Sequence, residues 1–182
     1  KDIVVRWRKA NPWAEQTWND YDETITSAVL EPGVDKKIGR VVYNSDGVNF
    51  LWCKLPSGRL LAYPKPKFEQ YETPWGEERI GVTFQSHFKP AAGAKPIRVY
   101  ARGALLFQNS VQAVAADFLR EALVKADAAG LRVVGHVHDE IIGRGSEADG
   151  ECLNDIMLQK PWWADGLPLA TDGVASGKRY GK

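Results

Sequence analysis

From Gly39 to Phe84 the sequence alternates and is crowded with turn residues, and helical periodicity lies on both sides of that block. Strands joined by tight turns and flanked by amphipathic helices predict an α+β fold: an antiparallel sheet with hairpins packed against long helices. Ahead of the block, Asn11-Pro12 reads as a helix start, with Asn as cap and Pro where its missing N–H costs nothing. Ala14, Trp18, Tyr21, Ile25 and Ala28 then recur every three or four residues, and Pro32-Gly33 stops the run. Inside the block, Val41-Val42-Tyr43 predicts a strand broken by Asn44-Ser45-Asp46-Gly47. Asn49 to Leu55 and Leu60 to Tyr63 flank the turn Pro56-Ser57-Gly58-Arg59, which predicts a hairpin. A further strand is predicted from Arg79 to Phe88, and a small-residue loop from Ala91 to Pro96.

After the block, Asn109 with Gln112 three positions on predicts the start of a second long helix. Its stripe is Val111, Ala115, Phe118, Ala122 and Ala126, and Gly130 ends it. Leu131 to His136 and the run opening at Ile141-Ile142 are apolar strands with His138-Asp139 between them, so His138, Asp139 and Glu140 are expected at or beside a hairpin turn. Ser146 with Asp149 predicts the cap of a third helix, with Leu153, Ile156, Met157 and Lys160 on its face and Pro161 as its stop. Leu167-Pro168-Leu169 predicts one more short strand. By organisation the chain divides into a helical segment over 1–35, a β-hairpin region over 39–100, and a helix, hairpin and C-terminal helix over 108–182.

At 182 residues and 44% hydrophobic, the chain can build one real core. The net charge of +1 gives no whole-molecule attraction to nucleic acid or lipid. No apolar run approaches the roughly 20 residues that cross a bilayer, and the N-terminus lacks a signal-peptide core, which predicts a soluble, cytoplasmic protein with no membrane partner. Cys53 and Cys152 stand far apart, which excludes a disulfide framework and favours buried free thiols, with one long-range bridge left open. The sequence begins at Lys1 and its methionine is Met157, so a longer product is expected.

The near-zero total conceals segregation. From Ala10 to Asp35 there are six acids and no Lys or Arg, whereas from Arg79 to Ala116 there are five basic residues and no acid. Between Gly47 and Phe68, Lys54, Arg59, Lys65 and Lys67 alternate with Phe50, Trp52, Tyr63 and Phe68, again without a carboxylate. Cations among aromatics suit a polyanion with stackable bases. A solvated, Lys-rich hairpin face accounts for the charges equally well.

A carboxylate at a rigid hairpin tip offers the hard oxygen that a divalent cation requires, and Asp139 is the best candidate. Glu140 follows directly, and neighbouring strand residues point to opposite faces, so the residues alone support one ligand from Asp139. An Asp-Glu pair at a turn also serves simply to form the turn. His136-Val137-His138 sets two imidazoles at strand alternation, which raises a zinc-dependent hydrolase as an alternative, but only His87 remains to complete a shell. Phosphate-loop, Rossmann and serine-elbow motifs are absent.

The segment Gln108-Asn109-Ser110-Val111-Gln112-Ala113-Val114-Ala115-Ala116-Asp117-Phe118-Leu119, followed by His136-Val137-His138-Asp139-Glu140-Ile141-Ile142, resembles the palm helix and palm hairpin of family A DNA polymerases, particularly bacteriophage members. Leu55-Pro56-Ser57-Gly58-Arg59-Leu60-Leu61-Ala62-Tyr63-Pro64 is similar to that family's preceding hairpin, and Trp7-Arg8-Lys9-Ala10-Asn11-Pro12 to the segment after the fingers. Trp163-Ala164-Asp165-Gly166-Leu167-Pro168-Leu169 and Lys178-Arg179-Tyr180 resemble phage polymerase endings. The resemblance implies an antiparallel palm sheet and template-dependent nucleotidyl transfer in DNA replication by a two-metal mechanism. It further implies Mg2+ held by Asp139, with His138 near the primer end and Glu140 supporting the site. Gln112 would read the minor groove, while Arg59 and Asn109 would contact DNA. Primer-template DNA and deoxynucleoside triphosphates are the implied partners.

The family's second catalytic aspartate and its nucleotide-gripping fingers helix have no counterpart in this sequence. The expectation is therefore a C-terminal palm fragment, inactive alone, whose remaining partner is the missing N-terminal part of the same polymerase. Without that part, the hairpin would keep an unpaired edge or pair with another copy. A catalytically silent DNA-binding module, using the basic hairpins and Gln112, is the alternative from a different class. Locally, Gln112 also reads as a helix cap, Arg59 as a turn residue, and Trp162-Trp163 as core or interface.

Overall fold

The computed structural model describes residues 2–73, 76–86, 96–174 and 177. The chain is α+β and falls into two units, Lys1–Val111 and Gln112–Lys182. Among the described residues no helix is long and apolar enough to cross a membrane.

The first unit opens with α1 (Asp2–Ala10) and α2 (Pro12–Leu30). Asn11 separates them, but its side chain does not cap α2 as the sequence suggested. Instead the Asn11 amide donates back to the Trp7 carbonyl at 2.9 Å, and the Asn11 carbonyl accepts from Ala14 N–H, so this residue closes one helix while opening the next. Ala14, Tyr21, Ile25 and Ala28 are buried as the periodicity predicted. Four strands follow, β1 (Lys36–Ile38), β2 (Val41–Ser45), β3 (Phe50–Lys54) and β4 (Leu60–Pro64), paired antiparallel in chain order. A second antiparallel sheet holds β5 (Lys67–Glu72), β6 (Glu78–Gln85) and β7 (Arg98–Tyr100). The expected Ala91 to Pro96 loop and the end of the expected Arg79 to Phe88 strand fall mostly on residues 87–95, outside the described ones.

Alternation along β2 and β3 sends Val41, Tyr43, Leu51 and Cys53 inward, where Tyr43 meets Tyr21 edge-on at 6.1 Å between ring centroids. Tyr21 also meets Phe107 at 5.6 Å, and Tyr63 meets Phe84 at 5.1 Å. These aromatic contacts knit α2, both sheets and the start of α3 (Gly103–Ala128) into one core.

Helix α3 begins at Gly103, six residues earlier than the Asn109 start read from the sequence. The reason is tertiary. The Asp22 carboxylate of α2 accepts the Gly103 N–H at 2.8 Å, satisfying a helix-start donor from outside the helix. Glycine is required because a Cβ there would collide with the Trp18 carbonyl. Asn109 and Gln112 therefore sit within the helix and do not cap it.

The second unit contains the rest of α3, the hairpin β8 (Val133–Val137) and β9 (Glu140–Gly143), α4 (Glu147–Leu158) and a 3-10 turn over Trp162–Ala164. The capping box at α4 matches the sequence expectation: Ser146 Oγ accepts from Asp149 N–H, and the Asp149 carboxylate accepts the Ser146 N–H at 2.7 Å. Ile156 is buried on α4, whereas Lys160 lies beyond the helix and is exposed. The Leu167-Pro168-Leu169 strand does not form. Trp163 is buried and donates to Glu121 at 2.6 Å, while Trp162 is exposed. Both cysteines are free; Cys53 is buried as expected, but Cys152 is exposed.

Candidate functional site

The hairpin β8–β9 is anchored at its base and exposed at its tip. Ala122 and Ala126 of α3 and Ile156 of α4 form a buried cluster that Leu131, Val133, Ile141, Leu153 and Met157 pack against. The strand register explains how both strands reach that cluster. His136 pairs with Ile141 and Gly135 with Ile142, but Val133 pairs with Gly143, leaving Val134 as the extra residue of a bulge. The bulge returns Val133 to the face shared with Ile141 and turns Val134 out to 65% exposure.

Val137 and Glu140 close the ladder, so the turn consists of His138 and Asp139. Two-residue turns of this kind need positive φ, usually from Gly, Asn or Asp. Here His138 adopts φ 52°. A side chain in the left-handed region is uncommon, and held strain of this kind collects at functional positions. We expect His138→Val to lower the chain's stability by about 1–2 kcal/mol, because a β-branched residue tolerates positive φ worst, whereas His138→Gly should not lower it. Urea denaturation of the two variants checks this; equal loss in both would show that the imidazole rather than the backbone matters.

Asp139 is exposed and makes no ion pair or hydrogen bond among the described residues, while Glu140 beside it is half-buried in β9. A carboxylate on a fixed turn above a packed base is suited to receive a cation or a hydrogen-bond donor. Carboxylate oxygens are the right donors for Mg2+, but no group of three or more His, Cys, Asp or Glu able to hold a metal occurs among the described residues. The donor set thus fits a share of a magnesium site and not a whole one. The zinc alternative loses its premise, because His138 lies in the turn and the strand alternation that would align it with His136 ends at Val137. His87 lies outside the described residues.

Gln112 is exposed on α3 in the second unit, as are the hairpin residues His138 and Asp139. Arg59 and Asn109 belong to the first unit. Arg59 is half-exposed at the end of the β3–β4 turn, where its carbonyl accepts the Leu55 N–H at 2.8 Å and its own N–H reaches Ser57 Oγ at 3.4 Å. Asn109 is turned inward, its amide donating to the Tyr63 hydroxyl at 3.4 Å.

Several basic side chains in the charge-segregated segment are already engaged. Arg98 pairs with Glu69 at 2.7 Å and donates to Thr83, and Arg79 pairs with Glu77 at 2.8 Å. Lys65 donates to the Asn49 side chain at 2.6 Å. Of the aromatics in that segment, Tyr63 faces the core, while Phe50 and Trp52 lie on the opposite face of their sheet. Lys37, not singled out in the sequence, shares that face; only the strand register reveals it.

No family model and no solved structure matches the chain. The chain is similar to a DNA polymerase of Bacillus phage SP02, at 35% identity over 178 residues. The alignment covers 96% of this chain and 26% of that protein, so the chain spans about a quarter of its relative's length.

Proposed function

We propose that this chain is the C-terminal palm portion of a bacteriophage-type, family A DNA-directed DNA polymerase. The observation that carries the reading is the similarity along nearly the whole chain to part of a DNA polymerase, with Val137-His138-Asp139-Glu140 at a tight, base-anchored turn. In this reading Asp139 supplies one carboxylate to a magnesium site, Glu140 supports the turn from β9, and His138 lies near the primer terminus. Remaining metal ligands and the nucleotide grip come from the rest of the polymerase. Magnesium, when bound, supplies charge stabilisation for transfer of a deoxynucleotide to the primer 3′-hydroxyl. Gln112 projects an amide that can meet the acceptors common to all correct pairs in the minor groove. Arg59 contacts the DNA backbone, and Asn109 is a further DNA-contacting residue in this reading.

Exposed apolar side chains on the hairpin also support the reading, since Val134 and Val137 of β8 stand out from its packed base. In this reading the rest of the polymerase covers them. The test is a chimera in which this segment replaces the matching quarter of the phage SP02 polymerase. Magnesium-dependent primer extension by the chimera, with none by the 182-residue chain alone, is the expected result. A chimera that folds and binds primer-template but does not extend it, or robust extension by the isolated chain, would overturn the proposal.

A further inference from the structure

The sheet β1–β4 has two faces of different character. Tyr43, Leu51, Cys53 and Tyr63 point inward, where Tyr43 Oη and Cys53 Sγ lie 3.4 and 3.8 Å from Ser110 Oγ of α3. The register then fixes the other face. Lys37, Val42, Lys54 and Leu60 lie opposite one another in one row across the four strands. In the next row Trp52 stands between Asn44 and Ala62, and beyond it Phe50 faces Pro64. Directly opposite residues share a face, so the rows form one surface, stepped by about 7 Å along the strands.

Two properties of that surface point to a ligand. Trp52 and Phe50 lie side by side with ring centroids 4.8 Å apart and planes tilted by 37°, and their partners on β4, Ala62 and Pro64, are too small to cover them. Both rings are half-exposed, and the exposed ammonium groups of Lys37 and Lys54 sit one row away. Of the nearby carboxylates, Asp46 accepts three backbone N–H groups at its turn, and Asp35 is tied to the Asn44 amide at 2.7 Å at the β2 edge of the Trp52 row. Unstacked bases need ring faces and their phosphates need cations, and a sheet face with paired aromatics beside lysines offers both. Duplex DNA keeps its base faces stacked and has no use for the rings.

We infer that the outer face of β1–β4 binds single-stranded DNA, with bases stacking on Trp52 and Phe50 and phosphates held by Lys37 and Lys54. The choice of DNA over RNA rests on the proposed function; the site itself does not, since it uses residues of the first unit only. The test is fluorescence anisotropy of the 182-residue chain with labelled dT12, an abasic 12-mer of the same charge, and a 12-bp duplex. The chain should bind dT12 at least about tenfold more tightly than the abasic strand or the duplex, and Trp52→Ala should weaken dT12 binding about tenfold. Lys37→Glu with Lys54→Glu, which alters only exposed positions, should weaken it comparably and flatten its salt dependence. Both sets of substitutions lie in the first unit and leave the His138-Asp139 turn unaltered, which separates this site from the proposed catalytic one. Equal affinity for dT12 and the abasic strand, or wild-type binding by the lysine double variant, would overturn the inference.

Discussion

Asp139→Ala in a polymerase carrying this segment should abolish primer extension, by at least about 10³-fold, while leaving primer-template binding intact. On the role proposed for Asp139, its removal sacrifices charge stabilisation made only in the transition state, and three decades correspond to about 4 kcal/mol. The structure gives the substitution little else to disturb. Asp139 is exposed and unpartnered among the described residues, and it follows the positive-φ residue of the turn without itself needing that conformation. The hairpin is held by Val133 and Ile141 against α3 and α4, so the turn should persist in the variant. Steady-state extension and gel-shift binding by wild-type and Asp139→Ala forms of the chimera provide the comparison. Substantial extension by a folded Asp139→Ala enzyme would remove this carboxylate from the mechanism. Glu140→Gln is expected to be milder, because Glu140 lies in the strand and is half-buried.

Several local signals in the sequence predict the structure because the determining contacts are local, although Asn11 turns its side chain back to Trp7 instead of capping α2. The turn between β3 and β4, the Pro12 start and Pro32 stop around α2, and the Ser146–Asp149 box each depend on residues a few positions apart. The start of α3 departs from the sequence expectation because a distant group decides it. Nothing near Gly103 in the sequence looks like a cap, so the local signal points to Asn109; the group that satisfies the Gly103 N–H is Asp22, on another helix. The contact of the Asn109 amide with Tyr63, 46 residues away in the sequence, has no local signal either. Leu167 to Leu169 has strand-like composition and no partner to pair with among the described residues. At the candidate site, the turn position of His138 and Asp139 was legible from the apolar runs on either side. The bulge at Val134, which aims the hairpin base into its cluster, was not, because it follows from register and leaves no composition signal.

Alkaline pH should unfold the first unit, and the phenols of its core set the direction. Tyr43 is fully buried, and burial pushes its hydroxyl well above the ordinary phenol range, with nearby Cys53 and Tyr63 adding to the effect. Tyr63 is pushed up to about 12, again chiefly by burial, against a smaller opposing effect from the Asn109 hydrogen bond. Tyr21 is raised by burial as well. A phenol whose pKa is higher in the folded than in the unfolded chain holds its proton more tightly when folded. Its contribution is therefore fully present below pH of about 10, where unfolded tyrosines begin to ionise, and is lost as the pH rises through the folded values. For Tyr63 alone, a rise of about two pKa steps corresponds to about 3 kcal/mol lost by pH of about 12, a large part of the stability of a typical domain. Denaturant midpoints measured from pH 7 to 12 should thus stay level to about pH 9.5 and then fall steeply, with tyrosinate absorbance appearing together with loss of near-UV circular dichroism. Tyr63→Phe should be less affected above pH 10, since it removes the ionisable hydroxyl while keeping the ring against Phe84. A midpoint that stays level to pH 12 would mean that these hydroxyls reach water and that the core is not closed around Tyr43.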